Sequence, residues 1–299
     1  MKELLKRAGL VLLMLAAVRG ILAGWAAAPS VPEDYTGSVA TGGPVEAAYL
    51  AMGSYEVACT TAAAPQEEWG DLVMYYPAEL PQSQSRYPVV VMVNGTGVGA
   101  SKYPSLFEHL ASWGFIVLGS DDPGTYAGDS AEAALTWLLE KNADPDSVFY
   151  DKADLDRVGA CGHSQGGVGV FNAIGATPHK ELYQCAVSLS PIDVEVARAL
   201  KMPYDPAGIR VPVLILASAS KDVIQMEGLQ QLYDRIDAPK VLARRKAEGH
   251  GEMLYSADGY VTAWFMWQLQ GDERAAAAFT GPAPELLANP LYQDQRIDL

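Results

Sequence analysis

The sequence predicts an α/β fold: a mostly parallel central sheet with helices on both faces. Three observations carry this. From residue 89 onward, short apolar β-type runs alternate with amphipathic stretches, the order of βαβ units. The run 89–93 is apolar throughout, as a strand buried on both faces requires. The 299 residues are 49% hydrophobic and 19% charged, a balance that supports a packed core and argues against global disorder, in a length that one large α/β unit can fill.

Taken in order, the first stretch does not read like the rest. Lys2, Lys6 and Arg7 precede an apolar run over 8–18, and small residues follow at 24–28, the charged, apolar, small-residue order of a secretory signal. Arg19 cuts the apolar stretch to signal length, well below the roughly 20 residues of a spanning helix. Residues 1–26 are therefore expected to be an export signal, with an uncleaved N-terminal anchor as the alternative. The protein would be secreted or held in the cell envelope, touching a membrane only if this segment is retained. Residues 27–44 carry Gly, Pro, Ser and Thr with little periodicity and read as an extended lead-in to a single domain over 45–299.

Within that domain the patterns predict strands at 55–60, 71–76 and 89–93, then a helix at 103–113 and a strand at 115–119. Ser130 is the expected cap of a helix over 131–140, whose Ala131, Ala134, Leu135, Leu138 and Leu139 share one face. A strand at 157–161, a helix at 166–176 and strands at 185–189 and 211–217 follow. A helix at 227–236, a strand at 240–245 and a helix at 258–269 complete the alternation, with 275–278 also read as helical.

Charge and cysteine content narrow the function. The chain carries 36 acidic and 21 basic side chains, a net charge of −15, and −18 once the four basic and one acidic groups of residues 1–26 are removed. Such a surface repels a phosphate backbone, so nucleic acid is not an expected partner. Cys59, Cys161 and Cys185 form no C-x-x-C pair and have no histidine at a zinc spacing, so no metal site is expected. They permit at most one disulfide, and the preferred reading is three small buried residues, above all Cys161 inside an apolar strand.

The chemistry is concentrated in Gly162-His163-Ser164-Gln165-Gly166. A Gly-x-Ser-x-Gly pattern is weak alone, but this one follows a predicted strand and opens a predicted helix, the setting in which a tight turn projects a serine above the sheet edge. Serine needs a base, usually a histidine oriented by a carboxylate. Of the four histidines, His109 lies in an amphipathic helix, His163 adjoins the serine and is expected to point elsewhere, and His179 follows the elbow helix. That leaves His250, between two glycines in a loop after a late strand. The acid should fall between serine and histidine. Asp222, just past the strand 211–217, is modestly favoured over Asp193, and both sit at the carboxyl edge where α/β sheets build sites. Oxyanion donors are expected from the backbone N–H groups of Gln165 and of Thr96 in the Gly-rich turn after 89–93. That turn lacks a phosphate-loop spacing and no G-x-G-x-x-G is present, so no cofactor is expected.

These residues resemble the secreted α/β-hydrolase esterases that include bacterial cutinase-like polyester hydrolases, within the dienelactone-hydrolase-like group. The resemblance spans about residues 43–281. It rests on Leu72-Val73-Met74-Tyr75-Tyr76-Pro77, Val93-Asn94-Gly95-Thr96, Leu110-Ala111-Ser112-Trp113-Gly114-Phe115, the serine turn, Val211-Pro212-Val213-Leu214-Ile215 and Gly249-His250. It implies an α/β-hydrolase fold, a triad of Ser164, Asp222 and His250, and oxyanion donors at Thr96 and Gln165. Its polyester hydrolases carry an aromatic residue where Thr96 stands and a tryptophan where Ile192 stands, which together clamp an aromatic ring. With neither aromatic here, Thr96 and Ile192 would line a site for a smaller or aliphatic ester. The expected activity is cofactor-independent hydrolysis of a small-molecule or polymeric ester by a monomer. An acyltransferase or peptidase on the same triad, and a catalytically silent binding protein on this scaffold, are the alternatives.

Overall fold

The computed structural model describes residues 29–299; the expected export segment at 1–26 lies outside the described residues. Nine strands form one sheet in the order β1-β2-β4-β3-β5-β6-β7-β8-β9: β1 (Val57–Ala63), β2 (Asp71–Pro77), β3 (Tyr87–Val93), β4 (Ile116–Ser120), β5 (Ala153–His163), β6 (Tyr183–Leu189), β7 (Val213–Ser218), β8 (Lys240–Arg245) and β9 (Tyr292–Asp298). The strands from β4 through β8 run parallel, while β1, β2 and β9 pair antiparallel at the two edges. This is the α/β-hydrolase architecture that the sequence predicts.

Why the central strands are apolar on both faces is visible in β3. Val89, Val91 and Val93 join one core layer and Val90 and Met92 the other, because successive side chains point to opposite faces. On the first face lie α3 (Asp129–Ala143), α4 (Gln165–Ala176), α5 (Val194–Ala199) and α6 (Met226–Arg235), through Leu135, Leu138, Val168, Phe171, Ala197, Leu229 and Leu232. On the second lie α1 (Pro44–Leu50), α2 (Pro104–Ser112) and α7 (Asp258–Gln270), through Tyr49, Phe107, Leu110, Trp264 and Phe265. Each fully buried side chain of this kind stabilises the fold by about 1.5–3 kcal/mol before the entropy of ordering is counted. Among the described residues no helix is long and apolar enough to cross a membrane.

Four expectations need correction. The lead-in is not extended throughout: Val31 and Tyr35 are fully buried against α2 and α7, and a helical turn forms at Tyr35–Ser38. Its apolar anchors are too few to give a period, so they read as loop. Ser130 does not cap α3. The helix starts one residue earlier at Asp129, Gly128 in left-handed backbone occupies the cap position, and the Ser130 hydroxyl is buried without a partner. Cys59 is exposed on the edge strand β1 whereas Cys161 and Cys185 are buried, and all three thiols are free. Finally β9, with its polar sequence Tyr-Gln-Asp-Gln-Arg-Ile-Asp, is a strand the apolar patterns did not predict.

Segments 40–46 and 289–292 meet on β8. The buried Arg245 guanidinium donates to Glu46 Oε1 and to the Tyr292 hydroxyl, both at 2.9 Å, and to the Ala40 carbonyl at 2.6 Å. Glu46 also accepts from Asn289 Nδ2 at 2.8 Å and from the Gly42 N–H at 2.7 Å. A charge pair this buried is tolerable because both Glu46 oxygens and both terminal guanidinium nitrogens are hydrogen-bonded, although Arg245 Nε is buried without a partner.

Candidate active site

Ser164 sits at the turn between β5 and α4 with φ 59 and ψ −119, a backbone conformation rare for a residue with a side chain. The flanking glycines explain how the turn closes. A Cβ on Gly162 would lie 2.3 Å from the Gly166 carbonyl oxygen, and one on Gly166 would lie 2.0 Å from that of Val93. Without those side chains, helix and strand approach closely enough to lift the serine above the carboxyl end of the sheet.

His250 reaches the same point from the loop after β8. Its Nε2 lies 2.9 Å from Ser164 Oγ, and its Nδ1 lies 2.8 Å from Asp222 Oδ1. The Lys221 carbonyl accepts the His250 backbone N–H at 2.9 Å, which ties the histidine loop to the acid loop. The structure thus brings Ser164, His250 and Asp222 together although 28 and 86 residues separate the bonded partners in sequence. Asp193 is elsewhere employed, its carboxylate capping α5 by accepting the N–H groups of Glu195 and Val196.

Asp222 accepts four hydrogen bonds. His250 Nδ1 and the Val223 N–H, the latter at 2.7 Å, reach Oδ1, while the Ser190 hydroxyl and the Ser218 N–H reach Oδ2, both at 2.6 Å. Burial pushes this carboxyl up, but the hydrogen bonds from His250, Ser190 and Ser218 and the His250 charge outweigh it. The net pKa is below the ordinary aspartate value. Asp222 therefore stays an anion beside the imidazole at neutral pH.

The expected oxyanion donors flank the serine. Gln165 is the first residue of α4, where backbone N–H groups have no intrahelical acceptor. The turn carrying Thr96 is closed by Val98 N–H to the Gly95 carbonyl and anchored by Gly97 N–H to the Pro123 carbonyl, each 3.1 Å. Asn94 fixes its base, donating to the Ser120 and Asp122 carbonyls and accepting from the Tyr103 hydroxyl. A Cβ on Gly95 would lie 3.8 Å from Ser164 Cβ, so the turn abuts the serine, and no hydrogen bond among the described residues engages the Thr96 N–H. Thr96 itself is exposed, and Ile192 is half-buried three residues beyond β6, its carbonyl held by the Tyr204 hydroxyl at 2.8 Å.

His163 does not point away from the site. Its Nε2 lies 2.7 Å from the His250 carbonyl oxygen, and the two rings are 4.7 Å apart. A carbonyl can only accept, so Nε2 carries the proton. Burial, reinforced by the His250 charge, pushes His163 down to about 4, so the ring is neutral at physiological pH. A cavity of about 270 Å³ opens beside it, walled in part by Gly95, Val98, Gly251, Tyr255 and Ser30. The contributions of His163 and Ser190 were hidden in the sequence because their partners, His250 and Asp222, arrive on the loops after β8 and β7.

The profile of one protein family, described as PET hydrolase-like, matches residues 35–289, most of the chain. The protein belongs to this PET hydrolase-like family. Membership makes it an α/β hydrolase acting on esters, and the matched span includes Thr96, Ser164, Gln165, Asp222 and His250. No curated protein matches the chain. Among the described residues no group of histidine, cysteine, aspartate and glutamate is arranged to hold a metal ion.

Proposed function

We propose that this family member is a serine esterase that works through an acyl-enzyme. The observation that carries the reading is the continuous chain Ser164 Oγ, His250 Nε2, His250 Nδ1 and Asp222 Oδ1, with links of 2.9 and 2.8 Å. Ser164 Oγ attacks the ester carbonyl while His250 Nε2 takes its proton. His250 then returns that proton to the leaving alcohol, and water activated by the same imidazole releases the acid. Asp222, an anion, holds the imidazole with Nδ1 protonated and stabilises the cation that forms.

The N–H groups of Gln165 and Thr96 receive the oxyanion, each well-placed donor contributing about 3–4 kcal/mol to the transition state. Thr96 and Ile192 leave no aromatic clamp around the acyl site, which favours a small or aliphatic ester. An exported chain, cleaved after the first 26 residues, fits this reading. Fluorophosphonate labelling tests it: wild type should be modified at Ser164 and Ser164→Ala should not be. An unlabelled wild type under conditions that mark ordinary serine hydrolases would refute it. A p-nitrophenyl ester series from acetate to palmitate then locates the preferred acyl length.

A further inference from the structure

Asp222 is steadied on the oxygen that never touches the histidine. Two groups meet Oδ2, the Ser218 N–H and the Ser190 hydroxyl, each at 2.6 Å. The first is backbone that nearly any residue could supply; the second is a side chain with an unusual backbone. Ser190 directly follows β6, is fully buried, and has φ 42, in the left-handed region disfavoured for residues with a Cβ. Its N–H donates to the Leu216 carbonyl at 2.8 Å, which locks this turn to β7, and its Oγ also accepts a longer 3.3 Å contact from the Ser218 N–H. In this left-handed, fully buried backbone the Ser190 side chain carries one donor proton, and that proton goes to the Asp222 carboxylate.

From this geometry we infer that Ser190 is a positioning residue for the proposed triad, clamping the outer oxygen of Asp222 so that Oδ1 stays aligned with His250 Nδ1. The inference rests on the esterase reading of the site. With the Ser190 hydroxyl and the Ser218 N–H on Oδ2 and the Val223 N–H on Oδ1, the carboxylate cannot rotate without breaking a charge-assisted bond. The same donor withdraws charge from the carboxylate. Removing it leaves a more basic, less constrained Asp222, so that either His250 or Asp222 takes up its proton at higher pH. The titratable groups facing Asp222 are His250, bonded to Oδ1, and His163 behind it; Lys221 adjoins it in the chain but is exposed.

Two substitutions in the full-length chain test the role, assayed with a short p-nitrophenyl ester. Ser190→Ala keeps the Cβ and the backbone demand while removing the hydroxyl; Ser190→Gly removes the hydroxyl and relieves the left-handed backbone. Both should lower kcat roughly ten-fold, the effect of one charge-assisted hydrogen bond, with KM little changed. Both should also move the acid limb of the kcat/KM profile to higher pH and shift the low-field His250 Nδ1–H proton resonance. Wild-type kcat and acid limb in both variants would overturn the inference. So would full activity in Ser190→Gly beside a defective Ser190→Ala, which would assign the effect to backbone, or a change confined to KM. The esterase reading is judged separately: both variants should still be labelled at Ser164 by a fluorophosphonate, and an unlabelled wild type would refute that reading rather than this one.

Discussion

His109 Nδ1 lies 2.6 Å from Asp258 Oδ2 in a site closed to solvent, while its Nε2 lies 2.9 Å from the Ala51 carbonyl oxygen. Both ring nitrogens face acceptors, and the Tyr35 hydroxyl donates to the same carboxylate oxygen at 2.5 Å. Burial works against the charged ring, but the Asp258 charge and hydrogen bond, with those to backbone carbonyls, raise His109 above the ordinary histidine value. A raised folded pKa gives stability that is fully present below the unfolded value of about 6.5 and is lost as pH rises through the folded value. Asp258→Ala should therefore cost about 3–5 kcal/mol at pH 6, with the gap to wild type narrowing as pH rises. Urea denaturation at pH 6 and pH 9 measures it, and a constant gap would contradict the pairing.

His163 should behave in the opposite sense. Its folded pKa of about 4 lies below the unfolded value of about 6.5, so its contribution is complete above about pH 6.5 and is lost as pH falls toward 4. The loss should total about 3 kcal/mol, and His163→Phe should remove that part of the acid slope. Denaturation curves for the two proteins between pH 4 and 7 compare it directly.

Replacing Asp222 by asparagine keeps the shape but lets an amide meet the imidazole, favouring the tautomer with the proton on Nε2, where it cannot accept the serine proton. kcat should fall about a thousand- to ten-thousand-fold while the fold survives. Steady-state kinetics with matched circular dichroism would detect it, and retention of more than a tenth of the wild-type rate would remove Asp222 from the proposed triad.

Two glycines in the same region should respond differently. Gly166→Ala drives a Cβ to 2.0 Å from the Val93 carbonyl oxygen and should cost about 3 kcal/mol or more, whereas Gly251→Ala meets nothing within 4 Å and should change stability by no more than about 0.5 kcal/mol. Denaturant midpoints decide between equal and unequal effects.

The sheet was legible where burial is two-sided. β3, and β7 as far as Ala217, are continuous apolar runs because both faces carry helices, and the serine turn announced itself by glycines whose missing side chains the approach of α4 requires. β9 escaped because alternate residues are solvent-facing on an edge strand, so only Tyr292 is fully buried in a polar sequence. The segment 29–44 escaped because Val31 and Tyr35 are buried by tertiary contacts that no local period encodes. In the site, residue type and chain order pointed to Ser164, His250 and Asp222. Ser190 and His163 could not be read in the same way, since a left-handed turn and a carbonyl acceptor across 87 residues are properties of the folded path.

The junction of Arg245, Glu46, Asn289 and Tyr292 has a consequence for how the chain is made. The bonds from Glu46 to Arg245, Asn289 and Tyr292 span 199 to 246 residues, so α1 gains its full set of partners only once β9 is in place. Closure over such separations is slow, because the entropy of a long loop is lost before any contact repays it. Glu46 and Arg245 complete their shared hydrogen bonds only when Asn289 and Tyr292 dock, so the segment that carries those two residues acts as a latch on the fold.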